Sequence, residues 1–385
     1  MECQIPFNKP FIVGRELEYI AEAVAAGDLS GGGRFTRDCA EVLQNRFGIH
    51  KVLLTPSCTA ALEMAAMLCG LQPGDEVIMP SYTFVSTANA VVRLGARPVF
   101  VDVRPDTLNL DERLIEAAIT THTKAIVPVH YAGVACEMDT IVKIAERHGL
   151  MVVEDAAQAV GSSYRGRALG SVGQMAAFSF HETKNVICGQ GGALCLNDPT
   201  LVERAEILRD RGTNRQKFLR GQADKYTWVD VGSAYAPSEI CSAFLYAQLE
   251  MMDMIAERRR SRYVRYQTAL APLEASGVVQ LPAAPPGCQG NAHIFWIVLR
   301  DQPTRDALID SLRGDGILAV FHYVPLHSSP MGKSFGYQPD DLPVTENLSG
   351  RLLRLPLYHE LKDDQQQRVI DHVVRFLTSP GTVGR

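Results

Sequence analysis

Between Asp75 and Leu196 short apolar runs alternate with stretches of helical periodicity, and this alternation restricts the fold more than any other feature of the 385-residue chain. Glu76–Met79, Pro98–Val103, Lys124–Val129, Met151–Val153, Ala176–Phe180 and Ala193–Leu196 are short, apolar and bounded by turn residues, so each reads as a buried strand. Ser81–Leu94, Asp111–Ile119 and Glu137–His148 separate them as helices; the last carries Met138, Ile141, Val142, Ile144 and Ala145 at helical spacing. Repeated βα units imply an α/β fold, a mostly parallel sheet with helices on both faces. Ligands of such sheets sit just outside the carboxyl ends of the strands. Polar residues that follow the apolar runs are therefore the candidates for chemistry.

Two such residues stand out. The run Met151-Val152-Val153 ends in Glu154-Asp155, and the run Ala176–Phe180 ends in His181-Glu182-Thr183-Lys184. A carboxylate and an amine delivered to one crevice are what a pyridoxal 5′-phosphate (PLP) site requires: the amine forms a Schiff base with the aldehyde, and the carboxylate keeps the pyridine nitrogen protonated. Upstream, Ser57-Cys58-Thr59 joins the strand Lys51–Leu54 to an Ala-rich helix, which leaves free N–H groups at a helix N-terminus, an anion site. Ser179, on the strand leading to Lys184, can donate to a phosphate. Gln158 can reach the other polar edge of a ring, and Phe84 can stack on its face.

The flanking segments complete the organisation. A helix spans 15–26 with Leu17, Ile20, Ala21 and Val24 on one face, and a second spans 36–47. Residues 212–232 are basic and aromatic and read as a loop. A long helix from about 238 to 265 connects a large cofactor-binding domain, residues 1–245, to a smaller C-terminal domain, residues 246–385. In the latter, His293–Leu299 and Leu318–Tyr323 read as strands, Thr304–Arg313 and Asp363–Leu377 as helices. His322-Tyr323-Val324-Pro325-Leu326-His327 sets polar groups in a proline-fixed extended segment, a pocket rim in which His322, Tyr323 and His327 are candidate substrate contacts. A net charge of −5 provides no field for a nucleic-acid backbone. No apolar run approaches the ~18 residues of a membrane helix. The first residues lack the pattern of a signal peptide. The nine cysteines include no CxxC pair, so neither a disulfide framework nor a metal site is expected, and the expected location is cytoplasmic.

The run Phe178-Ser179-Phe180-His181-Glu182-Thr183-Lys184-Asn185, preceded by Glu154-Asp155-Ala156-Ala157-Gln158, resembles the signature of the DegT/DnrJ/EryC1/StrS family of sugar aminotransferases. Pro80–Phe84, Pro128-Val129-His130 and His322–His327 fit the same pattern, so the likeness covers nearly the whole chain. It implies the fold-type I architecture of PLP-dependent transferases, with a smaller C-terminal α+β domain. It implies Lys184 as the Schiff-base lysine, Asp155 on the pyridine nitrogen, Gln158 and Phe84 against the ring, and Ser179, Cys58 and Thr59 on the phosphate. It further implies a homodimer or higher homo-oligomer with active sites at the interface, and amination of a nucleotide-linked 4-keto-6-deoxy sugar by L-glutamate, with 2-oxoglutarate released. The stretches Asp75–Ala90, His130–Asp139 and Asp224–Trp228 resemble most the members that convert dTDP-4-keto-6-deoxy-D-glucose to dTDP-4-amino-4,6-dideoxy-D-galactose. Dehydratases of the same fold carry His where this chain has Lys184. Two positions depart from the family pattern. Ala234 stands where many relatives place an Asn that reaches the neighbouring subunit's phosphate, leaving Ser233 as its possible substitute, and Gln190 replaces the Glu of Gly-Glu-Gly-Gly.

Overall fold

The computed structural model describes residues 4–379. Its seven-stranded sheet uses β1 (Lys51–Thr55), β2 (Glu76–Pro80), β3 (Arg97–Val101), β4 (Thr123–Ile126), β5 (Met151–Asp155), β6 (Met175–Ser179) and β7 (Gly192–Leu196). The spatial order is β1-β7-β6-β5-β4-β2-β3, with β7 antiparallel to both its neighbours and every other pairing parallel. The α/β architecture read from the alternating pattern is thus present, and the expected strands fall within a few residues of their observed limits.

Side chains that alternate along each strand feed two separate cores, because successive residues of a strand point to opposite faces. Val152, Ala176 and Phe178 pack on one face against α2 (Arg34–Phe47) and α5 (Met138–His148). Val153, Met175 and Ala177 pack on the other against α3 (Cys58–Leu68) and α4 (Val85–Val92). Burial on both faces is why β5 and β6 are continuous apolar runs rather than alternating ones.

Three expectations change. The helix α1 (Glu16–Ala26) turns Leu17 and Val24 to solvent, 78% and 54% exposed, and buries Glu16, Tyr19 and Ala23 instead. The cause is Glu16: its carboxylate accepts from the amides of Val13 and Gly14, both at 2.8 Å, and from Gln248 Nε2 at 2.7 Å, which locks that face inward. The expected long connector is two helices, α6 (Glu239–Glu250) and α7 (Met252–Ala275), broken where Met251 leaves helical geometry at φ −105° and ψ 11°. The expected strand Leu318–Tyr323 makes only a single bridge, Val320 with Arg354, since the carbonyl of Phe321 is taken by the Arg354 guanidinium rather than by a backbone amide.

The C-terminal unit packs α7, α8 (Gln302–Gly314) and α9 (Asp363–Thr378) around the antiparallel pair β8 (Phe295–Val298) and β9 (Leu352–Leu355). Ile5, from the other end of the chain, is part of the same core. No helix among the described residues is long and apolar enough to cross a membrane. Two polar clasps fasten this unit to the sheet. Ser81 Oγ meets His327 Nδ1 at 2.7 Å, and Asp102 accepts from the amides of Val344 and Thr345 at 3.0 and 2.8 Å and from the Thr345 hydroxyl at 2.6 Å. Replacing Asp102 by Ala strands those buried donors. The expected loss is on the order of 3 kcal/mol, read as a lower urea midpoint. A midpoint unchanged from wild type would show that the clasp is dispensable.

Candidate active site

The carboxyl ends of β1, β2, β5 and β6 open into a cleft of about 630 Å³ that the C-terminal unit covers on one side. Strand parity selects what enters it. Val153, Asp155, Ala177 and Ser179 share one face, with Asp155 paired in register to Ala177, so Asp155 and Ser179 both reach the cleft. Glu154 points the other way. It is fully buried and accepts from His130 Nε2 at 2.9 Å and from the amides of Gly170, Val172 and Gly173 at 2.9, 2.7 and 2.8 Å. Burial works against its charge, but the His130 and amide hydrogen bonds prevail and hold the carboxyl below its ordinary value.

Asp155 has the opposite balance. Its Oδ2 accepts from the Thr87 hydroxyl at 2.7 Å and its Oδ1 from the Ala157 amide at 3.2 Å, yet burial dominates and raises its pKa. The group is a desolvated carboxylate that lacks a cation. Lys184 faces the same cleft, half-buried, and burial lowers the pKa of its amine. Among the described residues, no side chain pairs with Nζ. Both groups line the one cleft, and no hydrogen bond or ion pair joins them.

An anion cradle lies beside them. Ser57 caps α3, its Oγ accepting from the Ala60 amide at 3.1 Å, so the amides of Cys58 and Thr59 in the first turn have no intrahelical acceptor. Thr59 Oγ1 lies 2.8 Å from Ser86 Oγ. Gly192 makes the close approach feasible: a Cβ there would stand 2.4 Å from the Cys58 nitrogen. Ser179 Oγ, buried at the same end, accepts only a long 3.4 Å bond from the His181 amide. Phe84 precedes α4 rather than lying within it and presents a 56% exposed ring to the cleft. Gln158, which lines the cleft, accepts from the Ala132 amide at 2.7 Å through Oε1 and donates from Nε2 to Tyr323 OH at 2.8 Å, leaving one amide hydrogen unused. The carboxylate without a cation, the unpartnered amine, the free helix-terminal amides and the exposed aromatic face together fit PLP.

Of the expected substrate contacts, His322 and Tyr323 line the cleft, stacked with centroids 3.7 Å apart, while His327 does not. His327 is fully buried, bonded to Ser81 and to the carbonyl of Pro339; it fastens the two units and has no route to a ligand. Several lining residues carried no signal in the sequence. Arg354 and His293 arrive from the C-terminal unit, and Asn185 Oδ1 meets His293 Nδ1 at 3.1 Å. Thr87 is the exception: it follows Phe84 by one helical turn and was accessible to a spacing argument. Gln190 lines the cleft, whereas Ser233 and Ala234 are exposed elsewhere.

The site now has counterparts. The family model described as the DegT/DnrJ/EryC1/StrS aminotransferase family matches residues 10–374. The chain belongs to that family. It is 35% identical over 380 residues to the spore coat polysaccharide biosynthesis protein SpsC of Bacillus subtilis, covering 96% of each chain. Its structure superposes on DesV of S. venezuelae, solved in complex with a ketimine intermediate, with a TM-score of 0.89 at 33% identity over 97% of this chain and 99% of that one. The sugar aminotransferase Spr1654 of Streptococcus pneumoniae, solved in its PLP form, gives 0.89 at 25% identity over 97% and 98%. The family aminotransferase is thus a PLP-dependent sugar enzyme, and the resemblance read from the sequence is borne out.

The lowered pKa of Lys184 has a kinetic consequence. Only the neutral amine attacks an aldehyde, so a lower pKa leaves more of it reactive near neutral pH than in a solvated lysine. Condensation of the apoprotein with PLP, followed by its visible absorbance band, should therefore show a pH inflection below the ordinary lysine value of 10.5. An inflection at or above that value would refute the desolvation argument.

Proposed function

We propose that this aminotransferase moves the amino group of L-glutamate to C4 of dTDP-4-keto-6-deoxy-D-glucose, giving dTDP-4-amino-4,6-dideoxy-D-galactose and 2-oxoglutarate. The observation that supports the transamination is that one cleft is lined by both an unpartnered Lys184 amine and an Asp155 carboxylate that has hydrogen bonds but no cation. The choice of sugar rests on the likeness of residues 75–90, 130–139 and 224–228 to aminotransferases with that product.

When bound, PLP supplies an electrophilic aldehyde and a ring that stores the electron pair of a broken C–H bond. The chain does the rest. Asp155, short of positive charge, favours a protonated ring nitrogen opposite it. Cys58, Thr59 and Ser179 hold the phosphate with N–H and O–H donors, and Phe84 and Gln158 limit the tilt of the ring. Lys184 Nζ, neutral in a larger fraction of molecules than a surface lysine, takes the proton from the α-carbon of the donor and returns one on the sugar side.

The same reading includes a homodimer. Leu17 and Val24 on α1 are exposed apolar side chains, as are Trp228 (78% exposed), Val229 and Val231 in a separate segment, and exposed residues of this kind are what a second copy covers. Ser233 and Ala234 follow Val231 in the chain and are exposed as well.

Lys184→Ala should lower turnover by about 10³-fold or more and remove the visible band. NMR of the product from dTDP-4-keto-6-deoxyglucose and glutamate should show an axial C4 amine. An equatorial amine, or turnover only with a 3-keto or GDP-linked sugar, would replace the substrate while leaving the chemistry; retained turnover in the Lys184 variant would sink both. Trp228→Glu should shift sedimentation toward a monomer, and a wild-type monomer would remove the dimer from the proposal.

A further inference from the structure

The cleft lining contains two basic side chains besides its histidines, Lys184 and Arg354, and one carboxylate, Asp155. Asp155 is engaged by Thr87 and the Ala157 amide, and among the described residues no carboxylate lies within ion-pair distance of Arg354. A guanidinium without a counter-ion is unusual in a half-buried position, and burial pushes its pKa down from the ordinary arginine value. Its Nε and one Nη2 hydrogen are spent on a single neutral acceptor, the carbonyl of Phe321, at 3.2 and 2.9 Å. Both Nη1 hydrogens and one on Nη2 remain. The ring of Phe7 lies under the guanidinium, 4.6 Å away, and keeps its plane from turning. Arg354 is therefore a fixed, charged fork with an open side.

Its surroundings favour an anion over a second cation. His293 and His322 flank it in the lining, and burial, with the charges of Lys184 and Arg354, keeps both imidazoles neutral. Tyr131 OH lies 2.7 Å from His322 Nδ1 and His293 Nδ1 lies 3.1 Å from Asn185 Oδ1, so these rings are already oriented. Arg354 and Lys184 line the same cleft, and the guanidinium adds to the burial that disfavours a charged amine.

The geometry points to Arg354 as the binding site for the carboxylate of the amino donor, an inference that rests on the transaminase reading above. An α-amino acid must bring its nitrogen to the aldehyde carbon that Lys184 otherwise engages. Its carboxylate, on the adjacent carbon, then lies within a few bonds of Nζ, and Arg354 is the unpaired cation available there. A guanidinium fork grips a carboxylate with two parallel hydrogen bonds, a geometry that lysine cannot offer. The site would select amino acids and 2-oxo acids over simple amines.

The test is calorimetric titration of the PLP-loaded protein with 2-oxoglutarate, beside steady-state kinetics in both substrates. In Arg354→Gln the dissociation constant should rise about tenfold or more, with KM for the nucleotide sugar and the PLP absorbance band unchanged. Arg354→Lys, which keeps the charge without the fork, should fall between Gln and wild type and serves if the Gln variant does not fold. An unchanged dissociation constant in both variants overturns the assignment, and so does a defect confined to the nucleotide sugar, which would make the sugar's diphosphate the anion. Wild-type protein that binds 2-oxoglutarate through Arg354 but aminates no sugar would overturn the sugar reading and leave this one standing.

Discussion

A buried carboxylate without a cation is the constraint from which the rest of this site follows. Asp155 and Glu154 are neighbours in sequence and identical in charge, but the pleat of β5 sends them to opposite faces. Glu154 meets an imidazole and three amides and is satisfied. Asp155 meets a hydroxyl and one amide, which is too little for a desolvated charge, and its pKa rises. The imbalance is useful only if a cation arrives from outside, and a protonated pyridine is such a cation. Function here is the deficit that the fold leaves in place.

That deficit needs a rigid frame, and much of the polar structure around the cleft provides one. Asn291 Nδ2 donates to the carbonyls of Gln158 and Val160 at 2.8 and 2.9 Å, and Ser162 links the Asn291 amide to the carbonyl of Gly133. Ala132 and Ala292 sit at φ 58° and 53°, a conformation costing non-glycine residues about 1–2 kcal/mol. Each borders a cleft residue: the Ala132 amide holds Gln158, and Ala292 precedes His293. The buried guanidinium of Arg259 fixes the latter loop by donating to the carbonyls of Ala292, His293 and Leu357. The strain thus sits beside two residues of the cleft lining, held by bonds from outside the cleft.

Elements whose form is set by local chemistry are legible in the sequence. The apolar runs ending in Asp155 and Ser179 are strands because both of their faces are buried, and the Ser57 turn is a cap because a hydroxyl before an Ala-rich stretch stabilises a helix start. Features in which a distant partner outweighs the local pattern are not legible in this way. Leu17 and Val24 have helical spacing, but Glu16 is tied down by Gln248, more than two hundred residues away in sequence. His327 belongs to a motif-like segment with His322, yet Ser81 draws it into the seam between the two units.

The sequence by itself determined the order of strands and helices, the residues that end each strand, and hence which amine and which carboxylate are delivered to the sheet's edge. Those properties depend on side-chain period and turn chemistry within a few residues. Tertiary structure alone decided which face of α1 is buried, where the connector breaks at Met251, and that Arg354 and His293 from the C-terminal unit complete a cleft begun by the sheet. These depend on contacts between segments far apart along the chain, whose free energies no local window contains.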